Sequence, residues 1–166
     1  ITPSAAQFNT EKLNWLNAHY LKRAEPVRLA ALVQPRLEAR GVTVNATPAL
    51  GAIIALHRER VANLNELADA AAPFYVDVQP QAELLAKHLT PESLPALADF
   101  ITGLPDVDWE AAAIGALIKE SVARHGLKMP KLAMPLRVLL TGREQTPSVD
   151  ALIATFPRET VLKRLA

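Results

Sequence analysis

Several features that would point to a specific chemistry are missing from this sequence. It contains no cysteine, which excludes disulfides, thiol nucleophiles and cysteine-ligated zinc. No apolar run approaches the roughly 20 residues that a membrane-spanning helix needs. The six glycines stand singly, so there is no Gly-rich phosphate loop, and no nucleophile turn accompanies a Ser-His-Asp order. The sequence therefore predicts neither a catalytic site nor a membrane segment.

The histidines also lack the spacing of a metal site. None of the four belongs to a pattern such as HExxH, and we expect each to be a surface or packing residue. They are His19, His57, His88 and His125. The sequence thus predicts no metal site and no cofactor in this chain.

The overall composition is that of a globular protein. Half of the 166 residues are apolar and 21% are charged, which excludes a disordered chain and suffices for one domain or two small lobes. The absence of cysteine fits a cytoplasmic protein. The sequence opens ITPSAAQF, without an initiator methionine, so we expect a piece of a longer protein.

The net charge of +1 hides an uneven distribution of charge along the chain. Residues 1–60 hold eight Lys/Arg against four Asp/Glu, and residues 111–166 hold nine against four. Between them, residues 61–110 hold a single lysine against nine carboxylates. If the basic ends meet in space they form a face suited to nucleic acid; the alternative is ordinary solvated helix surface.

The spacing of apolar residues predicts an all-α fold. Apolar side chains recur at intervals of three and four, and no stretch alternates at period two for more than a few residues. Pro35 is expected to break or bend its helix. We predict helices over residues 10–22, 26–40, 47–61, 63–72, 80–88, 91–103, 108–125, 135–142, 147–155 and 157–165.

Proline and small polar residues mark the predicted helix ends. Three Thr-Pro pairs each offer a capping hydroxyl followed by a preset φ: Thr47-Pro48, Thr90-Pro91 and Thr146-Pro147. We expect Asp108 to cap the helix over 108–125 and Gly126 to end it.

The most informative segment is GLKMPKLAMPLRVLLTGREQTP, residues 126–147, which we call the basic elbow. It carries Lys128, Lys131, Arg137 and Arg143 against a single carboxylate, Glu144. Cations next to a Thr-Pro helix start are suited to holding a polyanion.

The basic elbow closely resembles the signature near the C-terminus of bacterial glutamyl-tRNA synthetases, in the domain that recognises the tRNA anticodon. A second segment, FNTEKLNWLNAHYL at residues 8–21, resembles the stretch just after the catalytic core of the same family. Class I synthetases carry HIGH-like and KMSKS-like sequences on a Rossmann-type domain, and neither occurs here. The resemblance implies a non-catalytic part of a glutamate–tRNA ligase, whose catalytic half would use ATP and Mg.

The resemblance also implies an architecture. The family's anticodon-binding part is a helical cage of two lobes, whereas the related glutaminyl enzymes use β-barrels. We expect residues 1–24 to connect to the catalytic half, residues 25–105 to form a first anticodon-binding lobe, and residues 106–166 a second lobe with the basic elbow. The implied partner is the anticodon loop of tRNA(Glu), bound by a cytoplasmic monomer, with no DNA and no membrane involved.

Five residues in or near the elbow match family positions for anticodon contact. Arg137 corresponds to an arginine that contacts the first base; the alternative is a surface arginine paired with Glu144. Thr146, Pro147 and Val149 match positions that pack against the first two bases, with Thr146 also expected to cap its helix. Lys119 matches a basic position near the middle base, although a solvated lysine is the alternative.

Arg60 aligns with the family's arginine for the third anticodon base. Its guanidinium can hydrogen-bond two acceptors on the cytosine edge; the alternative is a salt bridge between lobes. Lys128, Lys131 and Arg143 are possible phosphate contacts, or charges that only aid solubility. Trp15 and Tyr20 could stack on bases, but the amphipathic spacing favours core packing.

Two other functions remain open from the residues alone. A helical protein-interaction module would explain the short helices but not the basic elbow. A DNA-binding helix-turn-helix domain is a weaker analogy, based on the short C-terminal helices.

Overall fold

The computed structural model describes the backbone of residues 3–166 and the side chains of residues 11–166. The all-α prediction is confirmed: no strand occurs in the described backbone. Two short 3-10 turns lie at Ala72–Phe74 and Leu104–Asp106. The α-helices are α1 Pro3–Arg23, α2 Pro26–Ala39, α3 Leu50–His57, α4 Leu64–Ala71, α5 Ala82–His88, α6 Leu94–Gly103, α7 Ala111–Arg124, α8 Pro130–Thr141, α9 Val149–Thr155 and α10 Arg158–Leu165.

The chain forms two compact units, Ile1–Val76 and Asp77–Ala166, which we call unit 1 and unit 2. Unit 1 contains α1 to α4, and unit 2 contains α5 to α10. The lobe boundary expected from the sequence, between residues 105 and 106, lies inside unit 2. How the anticodon-binding lobes correspond to these compact units stays a prediction.

In unit 1, α2 packs against both α3 and α4. Its buried face is formed by Leu29, Val33 and Leu37, which recur every four residues along one side of the helix. Pro26 lies in the first turn, where a missing N–H costs nothing. The helix continues through Pro35, so of the predicted break or bend the break does not occur, and the bend stays a prediction.

The N-terminal helix α1 differs from the prediction that its aromatic residues are core. Trp15 is 65% exposed and Tyr20 42% exposed, and Leu13 and Leu16 are also exposed. Among the side chains of α1 that the structure describes, Leu21 alone is buried. The amphipathic spacing was interpreted correctly as helical, but a spacing does not specify what covers the apolar face.

Unit 2 is built around two central helices. α7 packs against α6 and α9, while α8 packs against α5 and α10. Phe100, Ile114, Leu136 and Phe156 are among its fully buried side chains. Trp109 fixes the turn before α7, because its indole Nε1 donates a 2.8 Å hydrogen bond to the carbonyl of Phe156.

Helix α8 begins five residues before the predicted start. The sequence placed the helix at 135–142 because a proline usually opens a helix, but Pro130 occupies that position and Pro135 lies inside. Pro135 removes the backbone hydrogen bond to residue 131 only, and its side chain is buried with Leu132 and Leu136. The turn at Gly142, with φ of 72°, ends the helix.

The predicted caps are wrong at three helix starts. Thr47 is too early, because α3 begins at Leu50 after Ala49. Asp108 does not cap α7, whose N-cap is Glu110. Thr146 does not cap α9, whose N-cap is Ser148, so that its hydroxyl is available for another contact.

A further predicted cap is also wrong, whereas one predicted helix end has the expected geometry. Thr90 Oγ1 accepts a 3.3 Å hydrogen bond from the Ser93 amide, but α6 begins at Leu94 with Ser93 as its N-cap, so Thr90 does not cap it. Gly126, with φ of 63°, follows the end of α7, and the Leu127 amide returns to the Val122 carbonyl at 3.0 Å. Gly126 is therefore the helix terminator that the sequence predicted.

Candidate nucleic-acid interface

The basic elbow folds into a turn, helix α8 and the loop that leads to α9. Together with α7, these elements surround a cleft of about 210 Å³ in unit 2, which we call the elbow cleft. Its apolar lining residues include Ile118, Met129, Ala133 and Val149, its polar lining residues include Lys119, Arg137, Ser148 and Asp150, and Gly115 lines it as well. Three of the residues predicted for anticodon contact, Lys119, Arg137 and Val149, thus line one cleft.

Arg137 is held in place from two sides. Its Nε donates a 3.0 Å hydrogen bond to Thr146 Oγ1, and one terminal nitrogen lies 3.4 Å from Met134 Sδ. Its side chain is half-buried on α8. The guanidinium is a planar fork of donors, so anchoring it at Nε fixes the plane in which its other nitrogens can bind acceptors.

Thr146 orients Arg137 rather than the helix that follows. Its hydroxyl accepts from Arg137 and donates to the carbonyl of Pro147 at 2.7 Å, and its side chain is buried. Pro147 and Val149 are buried as well, although Val149 still lines the elbow cleft. Of these three predicted contact residues, only Val149 therefore contributes to the surface of the cleft, and its contribution is small and apolar.

The alternative pairing of Arg137 with Glu144 does not occur. Glu144 Oε2 instead lies 3.0 Å from Lys87 Nζ and 2.7 Å from His88 Nε2, both on α5. Hydrogen bonds from His88 and then Lys87 hold the pKa of Glu144 below its usual value of 4.5. The single carboxylate of the elbow is neutralised by α5 and does not compete for Arg137.

The loop after α8 is tightly placed. A Cβ built on Gly142 would lie 3.0 Å from Val78 Cγ1, and the positive φ there already favours glycine. The Thr141 hydroxyl donates to the Arg137 carbonyl at 2.8 Å and accepts from the Arg143 amide at 3.2 Å. These contacts, with the Glu144 ion pairs, fix the path of the chain into Thr146.

The three candidate phosphate contacts are all exposed. Lys131 Nζ lies 3.5 Å from Glu92, so part of its charge is already compensated. Lys128 precedes α8, and its carbonyl accepts from the Lys131 amide. Arg143 follows the turn at Gly142. The structure brings them to the outside of the elbow and not into the elbow cleft.

Arg60 lies in unit 1, in the turn that follows α3 and not in a helix as predicted. Its side chain is exposed and makes no hydrogen bond or ion pair with the described side chains of its unit. Arg58 is structural instead, since it donates a 2.7 Å hydrogen bond to the carbonyl of Ala24. The two arginines therefore differ in their surroundings, and the contact of Arg60 with the third anticodon base stays a prediction.

Six of the nine residues that line the elbow cleft were not predicted as contacts, and two of them, Asp150 and Gly115, lie against each other. Asp150 lies in the first turn of α9, where an acidic residue is common and gives no signal of function. Gly115 lies on α7 against it: a Cβ there would be 3.2 Å from Asp150 Oδ2. Either residue could be identified only from the contact between α7 and α9, which the sequence does not reveal.

Unit 1 also contains a cleft, of about 270 Å³. It is lined by Tyr20, Arg36 and three asparagines, with Arg36 donating a 3.0 Å hydrogen bond to Asn65. None of these residues was predicted as a contact, because Tyr20 was expected in the core, and amides on α1, at the start of α4 and within α4 form no sequence motif.

Two other kinds of site do not occur in the described part of the chain. Each helix there is too short or too polar to span a bilayer. No group of three or more His, Asp or Glu side chains among the described residues is arranged to hold a metal ion.

Comparison with known proteins matches the chain to one family. A family model described as the anticodon binding domain covers residues 28–166. The glutamate–tRNA ligase of Dechloromonas aromatica is 58% identical over 166 residues, covering 100% of this chain and 36% of that protein. The glutamate–tRNA ligase of Thiobacillus denitrificans is 56% identical over 165 residues, covering 99% of this chain and 35% of that protein.

A solved structure shares the fold. The glutamate tRNA ligase of Elizabethkingia meningosepticum, solved in complex with its amino acid, superposes with a TM-score of 0.81 at 25% identity. The match covers 93% of this chain and 31% of that one. The chain thus spans about a third of the length of the relatives it matches.

Proposed function

Since the chain belongs to the anticodon-binding domain family, we propose that it binds tRNA(Glu) and recognises its anticodon. It would do so as the C-terminal part of a cytoplasmic, monomeric glutamate–tRNA ligase. The catalytic half of that protein would attach glutamate to tRNA(Glu) using ATP and Mg, and this part would have no catalysis of its own. No observation favours a protein-interaction module or a DNA-binding domain.

The elbow cleft carries the proposal. The cleft combines the cations of Lys119 and Arg137 with apolar side chains that include Val149, and it is open to a ligand. An unstacked base of an anticodon loop has a flat apolar face and a polar edge, and these two kinds of side chain can contact both. Arg137 would bind acceptors on the first base, with Thr146 holding its plane.

The middle base would lie near Lys119 and Val149. Thr146 and Pro147 would contribute through the shape of the loop, because both side chains are buried. The exposed Lys128, Lys131 and Arg143 would approach phosphates on the outside of the elbow. Arg60, exposed on unit 1, would contact the third base.

The experiment that tests this function is binding of RNA hairpins by the 166-residue chain. Hairpins with a CUC or UUC anticodon loop should bind more tightly than the same stem with a scrambled loop, and duplex DNA should not compete. Affinity should fall with salt, with a log–log slope of about 0.7 to 0.9 per neutralised phosphate. Equal affinity for all loops would exclude anticodon recognition, and affinity indifferent to salt would exclude phosphate contacts.

A further inference from the structure

The elbow cleft contains a carboxylate that the contacts proposed above do not use. Asp150 lines the cleft together with Lys119, on the facing helices α9 and α7. Its Oδ1 accepts a 2.8 Å hydrogen bond from the Ala151 amide. No described side chain donates to its Oδ2, and neither Asp150 nor Lys119 forms an ion pair with a described side chain.

The position of this carboxylate depends on Gly115. Helix α7 has no side chain at that point, and a Cβ built there would lie 3.2 Å from Asp150 Oδ2. Such a distance is shorter than an ordinary van der Waals contact, so an alanine would displace the carboxylate by a few tenths of an ångström. Gly115 and Lys119 are one helical turn apart on the same face of α7.

A carboxylate in an RNA-binding cleft repels phosphate, so a favourable contribution must come from a hydrogen-bond donor on the ligand. The edges of nucleobases supply such donors. Uracil presents an N3–H donor next to its O4 acceptor, whereas cytosine presents an amino donor next to an N3 acceptor. A base that places its N3 towards Asp150 and its C4 substituent towards Lys119 meets an acceptor and then a donor, and in that orientation uracil fits while cytosine does not.

We infer that Asp150 determines the base chosen at the middle anticodon position, where it accepts a hydrogen bond from N3–H of uracil while Lys119 donates to O4. This rests on the proposed function, which assigns the middle base to Lys119. Cytosine there would set its N3 lone pair against the carboxylate and its amino group against the ammonium. Asp150 therefore acts both as a partner for uracil and as a repulsive element against cytosine.

The test compares two hairpins that differ only in the middle base, CUC and CCC. Wild type should prefer uracil, and Asp150→Asn should lower that preference about tenfold, because an amide offers a donor as well as an acceptor. The affinity of Asp150→Asn for both hairpins should stay equal or rise, since a negative charge facing RNA is removed. The measured quantity is therefore the ratio of the affinities for the CUC and CCC hairpins, and not either affinity alone.

Two further variants separate this effect from folding and from charge. Gly115→Ala should lower the preference while keeping the protein folded, because alanine favours the helix interior over glycine. Glu159→Gln is the matched control: it removes a carboxylate from the first turn of α10, is exposed, and lies outside the cleft. It should leave the ratio unchanged.

The outcomes are distinguishable. If wild type prefers CUC and Asp150→Asn keeps the same ratio, Asp150 does not select the base, although anticodon binding stands. If Glu159→Gln lowers the ratio as much as Asp150→Asn, the effect is one of general charge and the inference is wrong. If wild type binds both hairpins no better than a scrambled loop, the proposed function itself fails, and the inference with it.

Discussion

Replacing Thr146 by valine isolates the role of one hydroxyl in orienting Arg137. Valine matches threonine in shape and removes the Oγ1 that accepts from Arg137 Nε at 3.0 Å and donates to the Pro147 carbonyl at 2.7 Å. A neutral hydrogen bond contributes about 0.5–1.5 kcal/mol, and one to a charged group about 1.5–3. Because Arg137 is half-buried, water can replace part of the hydrogen bond that its guanidinium loses. We expect a loss of about 1–3 kcal/mol in the free energy of unfolding.

The same change should weaken RNA binding. Without its anchor, Arg137 must be immobilised when the RNA binds, and ordering such a side chain costs about 0.5–1.5 kcal/mol. We therefore expect a fall in affinity of roughly two- to tenfold. Thr146→Ser keeps the hydroxyl, so it should retain most of the affinity while losing only methyl packing.

Stability can be followed in unit 2 alone. Trp109 is packed in unit 2 and Trp15 lies in unit 1, so in a Trp15→Phe background the fluorescence change on denaturation reports unit 2. A double-mutant cycle between Thr146→Val and Arg137→Lys should give a coupling energy of about 0.5–3 kcal/mol in both stability and RNA affinity. If the valine and serine variants behave alike, or if the coupling is zero, Thr146 does not position Arg137.

Three further predictions concern other parts of the chain. Arg60→Gln should relax the choice between C and G at the third anticodon base by about 1–3 kcal/mol with little change in stability, and equal preference ratios for the two proteins would show that Arg60 does not select that base. Glu144→Gln should reduce the loss of unfolding free energy that the protein shows in acid, because the pKa of Glu144 is lowered and its stabilisation is therefore present above about pH 4.5 and lost below it. Parallel curves of unfolding free energy against pH for wild type and variant, from pH 6 to 3, would contradict this ion pair. Burial raises the pKa of Tyr75 to about 12, so the stabilisation from its neutral hydroxyl is complete below pH 10 and lost towards pH 12. Tyr75→Phe should abolish one phenolate absorbance step near pH 12, and the loss of the 2.7 Å hydrogen bond to the Pro48 carbonyl should lower the free energy of unfolding by about 1 kcal/mol. An unchanged titration would refute the assignment.

The helical fold could be predicted from the sequence because its apolar residues follow the helical period. Leu29, Val33 and Leu37 are an example, and all three are fully buried. Helix starts were less predictable, since proline is compatible with more than one position: Pro130 opens α8, while Pro135, which looked like the start, lies inside it. Local signals locate a helix but leave its first residue open.

Burial and long-range contacts are the features of the site that could not be predicted from the sequence. The apolar face containing Trp15 and Tyr20 has the spacing of a core helix, yet both residues are exposed, because spacing carries no information about a covering element. Arg137 was recognised from its motif, but its anchor on Thr146 requires the loop geometry. Asp150 and Gly115 are 35 positions apart in the sequence and meet only because α7 packs on α9.

The measurement that tests the central claim most directly is the anticodon preference of Arg137→Ala. Hairpins should differ only in the first anticodon base, with affinities measured for wild type, Arg137→Ala and the matched control Arg124→Ala, an exposed arginine that pairs with Glu120 on α7. We expect Arg137→Ala to lose about 1–3 kcal/mol of affinity and most of its preference at that base, while Arg124→Ala retains the preference. Equal weakening of Arg137→Ala for every first base would contradict base recognition in the elbow cleft.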